Sequence, residues 1–405
     1  MIRIGTDTVE IRRFSEMKNP EHFVNRYFTE RERDGFAKHK IPFQHIAGAF
    51  AAKEAFSKYL GSGVRGFALN EIEVLHDELG KPYLCFKGKR VDADVSISHS
   101  ELVATAVVCG DVQTANIYSE PYENYRRLLP VRRKDMNKGD CGRLLILAGS
   151  LGMTGAACLC TKAALRCGSG LVTLGTPECV QAVAASMLLE AMTLPLPCRD
   201  GGLSLDAIEI IKERIRKSDV CAIGPGLGNT DDITEITAAV LSGGTPCVID
   251  ADGLNSISKN LSILKNKNCR AVITPHPGEM SRLTGLSVAD IEQNRTKTAL
   301  EFAKEYDCTD VLKGHETVIA SASGESVINK TGNSGMASGG MGDVLTGVIA
   351  SFIGQGCSPY SAAVLGVFLH GLAADTAAKK VGEFGLIASD VIESLPKAIM
   401  KTQGI

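Results

Sequence analysis

Beyond residue 143 the sequence repeats one unit: a short apolar run, a glycine-bearing turn, then a stretch with helical spacing. Leu144-Leu-Ile-Leu-Ala, Gly170-Leu-Val-Thr-Leu, Asp219-Val-Cys-Ala-Ile223, Cys247-Val-Ile-Asp250 and Ala271-Val-Ile-Thr274 are apolar at nearly every position, so both faces of each strand need cover. Helices expected over 154–165, 177–187, 206–217, 232–241 and 289–306 supply that cover when each crosses between parallel strands. Further strands are expected near 310–313 and 317–320, with closing helices after Gly342, over 359–379 and over 389–400. The predicted fold is α/β: a three-layer αβα domain with a mostly parallel sheet.

Sheets of this kind collect ligands at the carboxyl ends of their strands. Several polar motifs fall there: Gly224-Pro-Gly-Leu-Gly228, Asp250-Ala-Asp-Gly-Leu-Asn255, Thr274-Pro-His-Pro-Gly-Glu279 and Lys313-Gly-His-Glu-Thr317. The most informative stretch is Asn333-Ser-Gly-Met-Ala-Ser-Gly-Gly-Met-Gly-Asp343, followed by an apolar run that reads as a helix. Gly335, Gly339, Gly340 and Gly342 permit tight turns, and the unpaired N–H groups at the helix start would hold phosphoryl oxygens. Asp343 beside them is a carboxylate able to take a proton from a hydroxyl, or alternatively a helix cap. A phosphate-rich ligand accounts for the whole set.

The other polar groups each carry two readings. Lys313 either contacts a nucleotide phosphate or is a surface charge. His276, held between Pro275 and Pro277, either aims its imidazole into a cleft or binds only backbone. Asp250, Asp252 and Glu279 form a metal cluster, or else serve strand-end packing and capping. The run Gly149-Ser-Leu-Gly-Met-Thr-Gly155 follows a strand but has neither dinucleotide-fingerprint nor Walker A spacing.

Residues 1–118 follow a different pattern and predict a small α+β unit. An opening strand carries Asp7, a helix over 45–60 carries Lys53, Glu54 and Lys58, and four strand-like runs follow, separated by glycine and polar residues. Glu54 and Lys58 are one helical step apart and share a side of that helix. Asp7 and Glu54, from different elements, would suit an octahedral Mg²⁺ that also grips a diphosphate, or they are a turn residue and a helix-surface partner of Lys58. Two prolines and the basic cluster Arg132-Arg-Lys134 mark residues 119–133 as a linker, with the larger domain over 134–405.

Composition narrows the function classes. At 405 residues the chain is long enough for two or three domains, and a formal net charge of −2 gives no support for nucleic-acid or membrane binding. The start of the chain lacks a signal-peptide core, and no uninterrupted apolar segment long enough to span a bilayer is evident, so the cytoplasm is expected. The 13 cysteines form no Cys-x-x-Cys pair and lie mostly in apolar stretches, as buried thiols do in a reducing compartment.

Two resemblances sharpen these readings. Gly5-x-Asp7-x-Val9-Glu10-Ile11, Ala51-Ala-Lys-Glu-Ala-Phe-Ser-Lys58, Gly80-Lys-Pro-Tyr83 and Ser96-Ile-Ser-His99 resemble holo-[acyl-carrier-protein] synthase, a small phosphopantetheinyl transferase. The resemblance implies transfer of 4'-phosphopantetheine from coenzyme A to a serine of acyl carrier protein. It implies Asp7 and Glu54 as Mg²⁺ ligands, Lys58 near the coenzyme A phosphates, and Ser96 and His99 by the transferred arm, with Glu54 and His99 among the catalytic groups. It also implies a homotrimer with sites between subunits. The family usually places arginine before the Phe or Trp that precedes Ala-Ala-Lys-Glu; this chain has Ala49, which removes a bidentate donor.

The second resemblance spans about residues 134–400. Lys138-Gly-Asp-x-Gly-Arg143, Ala148-Gly-Ser, Met153-Thr-Gly-Ala-Ala157, Gly224-Pro-Gly-Leu-Gly228, Asp250-Ala-Asp-Gly-Leu-Asn255, Thr274-Pro-His-Pro-Gly-Glu279, Leu312-Lys-Gly314 and the segment from Thr331 to Gly347 are similar to ribokinase-like ADP- or ATP-dependent NAD(P)H-hydrate dehydratases. The resemblance implies that Ala156, Gly228, His276 and Asp343 contact NADHX or NADPHX. It implies that Lys313, Gly314, His315, Glu316, Thr317 and Gly342 contact ADP or ATP. Asp343 would be the base, with Gly340, Gly342 and the helix start stabilising the transferring oxygens and Mg²⁺ balancing the nucleotide. Asn137 and Met341 stand where the family often has histidine and a small residue. The epimerase that commonly accompanies this dehydratase would be a separate protein. Two alternatives stay open: a hydroxymethylpyrimidine, thiazole or sugar kinase, and an N-terminal unit that only trimerises or binds the carrier protein.

Overall fold

The computed structural model describes residues 2–37, 42–61, 67–111 and 122–405. The chain divides into two compact units, Met1–Asn124 and Tyr125–Ile405. Residues 119–121 of the expected linker lie outside the described residues.

In the first unit, strand β1 (Ile2–Glu10) is followed by helices α1 (Pro20–Tyr27), α2 (Glu30–Phe36) and α3 (Pro42–Leu60). Strands β2 (Ile72–His76), β3 (Pro82–Phe86) and β4 (Lys89–Arg90) form one antiparallel sheet, and β5 (Asp94–His99) and β6 (Val103–Asp111) join β1 in another, ordered β1-β6-β5. Alternation along β1 turns Gly5, Asp7 and Val9 inward, toward α3. Gly5 is required there: a Cβ would lie 2.1 Å from the Ala55 carbonyl oxygen, so only glycine lets the strand and helix lie this close. The core between them is aromatic, with Phe14, Phe50, Phe56 and Tyr59 buried.

The second unit is built on a nine-stranded sheet. Its strands are β7 (Arg143–Leu147), β8 (Leu171–Pro177), β9 (Met192–Leu196), β12 (Val220–Ile223), β13 (Cys247–Ile249), β14 (Ala271–Ile273), β15 (Cys308–Leu312), β16 (Val318–Ala320) and β17 (Ser326–Ile328); β10 (Cys198–Arg199) and β11 (Gly202–Leu203) form a separate hairpin. The order is β17-β16-β15-β14-β13-β12-β7-β8-β9, parallel from β9 through β15 and antiparallel at β15-β16-β17. This is the expected mostly parallel sheet, closed by an antiparallel edge.

Helices cover both faces. The helices α4 (Thr154–Arg166), α5 (Glu178–Met187), α6 (Ile208–Ile215), α7 (Asp231–Leu241), α8 (Ala251–Lys259), α9 (Pro277–Thr284), α10 (Arg295–Glu305), α11 (Met341–Gly354), α12 (Pro359–Val381) and α13 (Ala388–Gln403) follow the strands in turn. Leu145, Cys221, Ile249 and Ile273 point to one face and pack with Ile211, Ile236, Leu254, Met280 and Phe302 of α6 to α10. On the other face α11 lies directly on α4, because a Cβ at Gly347 would stand 2.1 Å from the Cys160 carbonyl oxygen. The helix expected over 289–306 is two, Val288–Gln293 and α10, broken where Asn294 leaves helical geometry. Among the described residues one helix, α12, is long and apolar enough to cross a membrane by length and mean composition, although His370 and Asp375 interrupt its apolar run; 78% of its apolar window is buried inside the protein.

Candidate functional site

Strand order reverses direction at β7: the chain runs outward through β8 and β9, then returns to β12 on the other side of β7. The crevice beyond the carboxyl ends of β7 and β12 is therefore the switch point where such sheets bind ligands. After β7, the Gly149 N–H donates to the Pro225 carbonyl and the Ser150 hydroxyl to the Gly226 carbonyl, so the two turns are laced together. Gly226 (φ +63°) has no room for a side chain, since a Cβ would meet Met153 and the Ala156 methyl at about 3 Å. Ala156 thereby sits at the crevice on α4. The Gly228 N–H donates to Asp252 Oδ2 at 2.9 Å, which fixes the far end of the same turn.

Helix α11 points its N-terminus at this crevice. Gly340 caps it with φ +89°, and a Cβ there would lie 2.6 Å from Leu159 Cδ1. Gly340→Ala is expected to cost roughly 1–2 kcal/mol from the left-handed backbone alone, more with the Leu159 contact, read as a lower thermal midpoint. Asp343 is the third residue of the helix, in the turn whose backbone N–H groups lack intrahelical partners.

A lysine and three carboxylates organise the electrostatics. The Lys313 ammonium, at the end of β15, donates to Asp250 Oδ1 at 2.6 Å and lies 3.7 Å from Glu279 Oε2. Asp250 is buried and its Oδ2 accepts from the Thr346 hydroxyl at 2.9 Å. Burial alone would push the Asp250 carboxyl up, but Lys313 with the hydrogen bonds from Lys313, Thr274 and Thr346 holds it below the usual range. A Cβ on Gly342 would stand 3.5 Å from both Asp250 Oδ2 and the Lys313 nitrogen, so this pair lies directly behind the helix start. Burial and the Asp250 charge, opposed by Lys313, raise the Asp343 carboxyl to about 7.

The remaining sequence-predicted positions fall as follows. His276 caps α9: its Nδ1 accepts from the Gly278 and Glu279 N–H groups at 3.0 and 3.3 Å, while its ring stays half exposed. The structure thus shows the backbone-bound reading of this histidine, with Nε2 3.6 Å from Glu279 Oε1. Gly314, His315 and Glu316 form an exposed turn between β15 and β16, with Glu316 at φ +56°, and Thr317 closes it by donating to the Gly314 carbonyl. Asp250, Asp252 and Glu279 do not converge as a metal cluster; they hold Lys313, Gly228 and the α9 start respectively. Among the described residues no group of three or more His, Cys, Asp or Glu could hold a metal ion. Sequence reasoning missed Thr346 and Asp375. Asp375, on α12, accepts from the Gly332 N–H and the Asn333 amide and so anchors the glycine loop.

In the first unit Asp7 faces α3, where Lys58 donates to its Oδ1 at 2.8 Å. Burial, then the Asp7 charge, raises the Glu54 carboxyl, which brings the two carboxylates into one field. His99 shares the inward parity of β5, with its ring 6.1 Å from that of His45 on α3. Ser96 has the opposite parity and points away from Asp7 on the outer face. Lys53 is structural: fully buried, it bonds Glu32 at 2.8 Å and the carbonyls of Tyr27 and Leu69. Ala49 is buried as well.

Comparison with known proteins agrees with this division. Residues 144–397 match the family model for NAD(P)H-hydrate dehydratase. The chain belongs to the NAD(P)H-hydrate dehydratase family. Residues 3–114 match the model of the 4'-phosphopantetheinyl transferase superfamily. The bifunctional NAD(P)H-hydrate repair enzyme Nnr of Moorella thermoacetica is 44% identical over 273 residues, covering 67% of this chain and 52% of that protein. The ADP-dependent (S)-NAD(P)H-hydrate dehydratase of Bacillus subtilis is 34% identical over 275 residues, covering 68% and 95%. A crystal structure of the ADP/ATP-dependent dehydratase from B. subtilis, co-crystallised with ATP/Mg²⁺, superposes with a TM-score of 0.60 at 31% identity, covering 69% of this chain and 97% of that one. The chain thus spans about half the length of the bifunctional relatives it matches. The dehydratase family assignment covers the unit that holds Asp343, Lys313 and the switch-point crevice.

Proposed function

We propose that the second unit dehydrates (6S)-NADHX and (6S)-NADPHX with ADP or ATP as phosphoryl donor. The observation that carries this reading is Asp343: a carboxyl titrating near neutrality, in the first turn of α11 and in the field of the Lys313–Asp250 pair. A base with that affinity is matched to taking a proton at physiological pH. Asp343 accepts the proton of the C6 hydroxyl as its oxygen bonds the terminal phosphorus of the nucleotide, and the bond from phosphorus to the bridging oxygen breaks. The N–H groups at the α11 start meet the charge on the transferring oxygens. The C6–O bond then breaks as the ring nitrogen's electron pair forms an iminium and inorganic phosphate departs, and loss of the C5 proton to water forms the C5–C6 double bond of NAD(P)H. In this reading Ala156, Gly228 and His276 line the dinucleotide side, and Gly342 with residues 313–317 lines the nucleotide side. The opposite epimer would be cleared through an epimerase or by spontaneous epimerisation, and we expect the reaction in the cytoplasm. NAD(P)H formation from purified S-epimer, tested with each nucleotide, decides it; formation of a stable phosphorylated product instead would reassign the unit as a small-molecule kinase.

For the first unit we propose 4'-phosphopantetheine transfer from coenzyme A to acyl carrier protein. Asp7 and Glu54 are hard oxygen donors sharing one field, and they fit a Mg²⁺ ion completed by substrate oxygens. Such an ion would neutralise the diphosphate. Lys58, already beside Asp7, would meet the coenzyme A phosphates, and His99 would lie on the same side of the sheet. Ser96 faces away from this group, and the outer sheet face around it exposes Ile2 (72%) and Ile4 (60%). A second copy covering that face would bury these side chains, and we expect a homo-oligomer, at least a trimer; a monomer by light scattering at working concentration would count against it. Glu54→Ala is expected to lower transfer by at least 10²-fold without touching hydrate repair, followed as holo-carrier formation by mass spectrometry.

A further inference from the structure

The end of the large sheet opposite the proposed reaction site carries a cavity of about 590 Å³. Its position is set by the strands: Arg143, Leu171 and Met192 are the first residues of β7, β8 and β9. Five residues of β7 separate it from the Gly149 turn, on the order of 16 Å at about 3.3 Å per residue. This is therefore not part of the crevice described above.

The lining is unusual in charge. Lys138, Arg143, Arg214 and Lys217 converge on the cavity, and among the described residues no carboxylate lines it. Nearby acids are already engaged: Glu213 pairs with Lys217 at 2.7 Å, and Asp219 Oδ2 accepts the backbone N–H of Arg143 at 2.7 Å. Among the described residues the head groups of Lys138, Arg143 and Arg214 make no hydrogen bond or ion pair. Arg214 and Lys217 lie at the end of α6, where the helix dipole favours cations in any case. That account does not reach Lys138, which precedes β7 in a loop, or Arg143, which opens the strand. Leu144, Leu171 and Met192 give the cavity an apolar floor.

We propose that this cavity is a second binding site, for an organic phosphate of about mononucleotide size. Four cations exceed what a single carboxylate neutralises, and a phosphate dianion can take an arginine fork bidentately. The apolar floor receives the body of the ligand while the cationic rim holds its phosphates. The volume lies within the roughly 300–1,000 Å³ of small-molecule sites. The site is independent of the dehydratase reading.

Equilibrium dialysis with labelled inorganic pyrophosphate tests it, on the full chain without added nucleotide. The wild type and Asp343→Asn are each expected to bind one more pyrophosphate per chain than the charge-reversed variant does. The double variant Arg143→Glu, Arg214→Glu is expected to bind about tenfold more weakly or worse, with an unchanged thermal midpoint. Should the charge reversals unfold the unit, Arg143→Ala and Lys138→Ala, both at exposed positions, are expected each to weaken binding. Absence of the site in the wild type, or equal binding by the folded variants, overturns the proposal.

Discussion

Asp343→Asn is expected to lower nucleotide-dependent dehydration by roughly 10²–10⁴-fold, the range for removing a positioned general base, while nucleotide binding persists. The wild-type pH profile gives a sharper test. Because the Asp343 carboxyl is raised to about 7, the acceptor form is scarce below neutrality and kcat/KM should rise through pH 7 to a plateau. Burial supplies most of that shift and the Asp250 charge adds to it, while Lys313 opposes it. Asp250→Asn removes the repelling charge and releases Lys313 toward Asp343, so both effects act in one direction. The acid limb of this variant should move to lower pH. A variant that melts earlier but keeps its limb at pH 7 would reduce Asp250 to a structural role and sink this account of Asp343.

The architecture of this site was legible in sequence for a simple reason. Consecutive apolar positions in 144–148, 219–223 and 247–250 require cover on both faces, and helices between parallel strands provide it, so the strand ends and their polar motifs had to gather at one end. The glycine loop before Asp343 was likewise readable, since positive φ at Gly340 and an apolar run behind it fix a turn and a helix start. What could not be read was the choice of partner. Lys313 meets Asp250, 63 residues earlier and two strands away, at 2.6 Å and Glu279 at 3.7 Å, although Asp252 had equal claim by position. Only the three-dimensional arrangement turns Asp252 to the Gly228 amide and Glu279 to the start of α9. In the first unit one signal was available: Ser96 and His99 differ by an odd number of residues on a strand, so they could not share a face.

The same helix that carries Glu54 supplies the largest expected change in stability. Lys53 and Lys58 are both lysines of α3 paired with carboxylates, at 2.8 Å in each case, yet one pair is fully buried and the other has a lysine 52% exposed. Lys53 ties three elements together: it bonds Glu32 of α2, the Tyr27 carbonyl of α1 and the Leu69 carbonyl ahead of β2, and lies 4.5 Å from the Phe28 ring centre. Lys53→Met removes the charge opposite a buried carboxylate and is expected to cost about 3–5 kcal/mol, whereas Lys58→Met, at a solvent-screened pair, should cost about 0–1 kcal/mol. With two units in one chain a single melting temperature mixes transitions, so hydrogen exchange over 42–60 and 72–86 is the measurement that isolates the effect. Adding Glu32→Leu to Lys53→Met should recover only part of the loss. Glu32 also accepts the Thr29 and Val74 N–H groups, and those donors stay unsatisfied when it is replaced. Equal exchange in the Lys53 and Lys58 variants would refute the distinction; the expected pattern makes Lys53 the brace of the fold and leaves Lys58 to the phosphates.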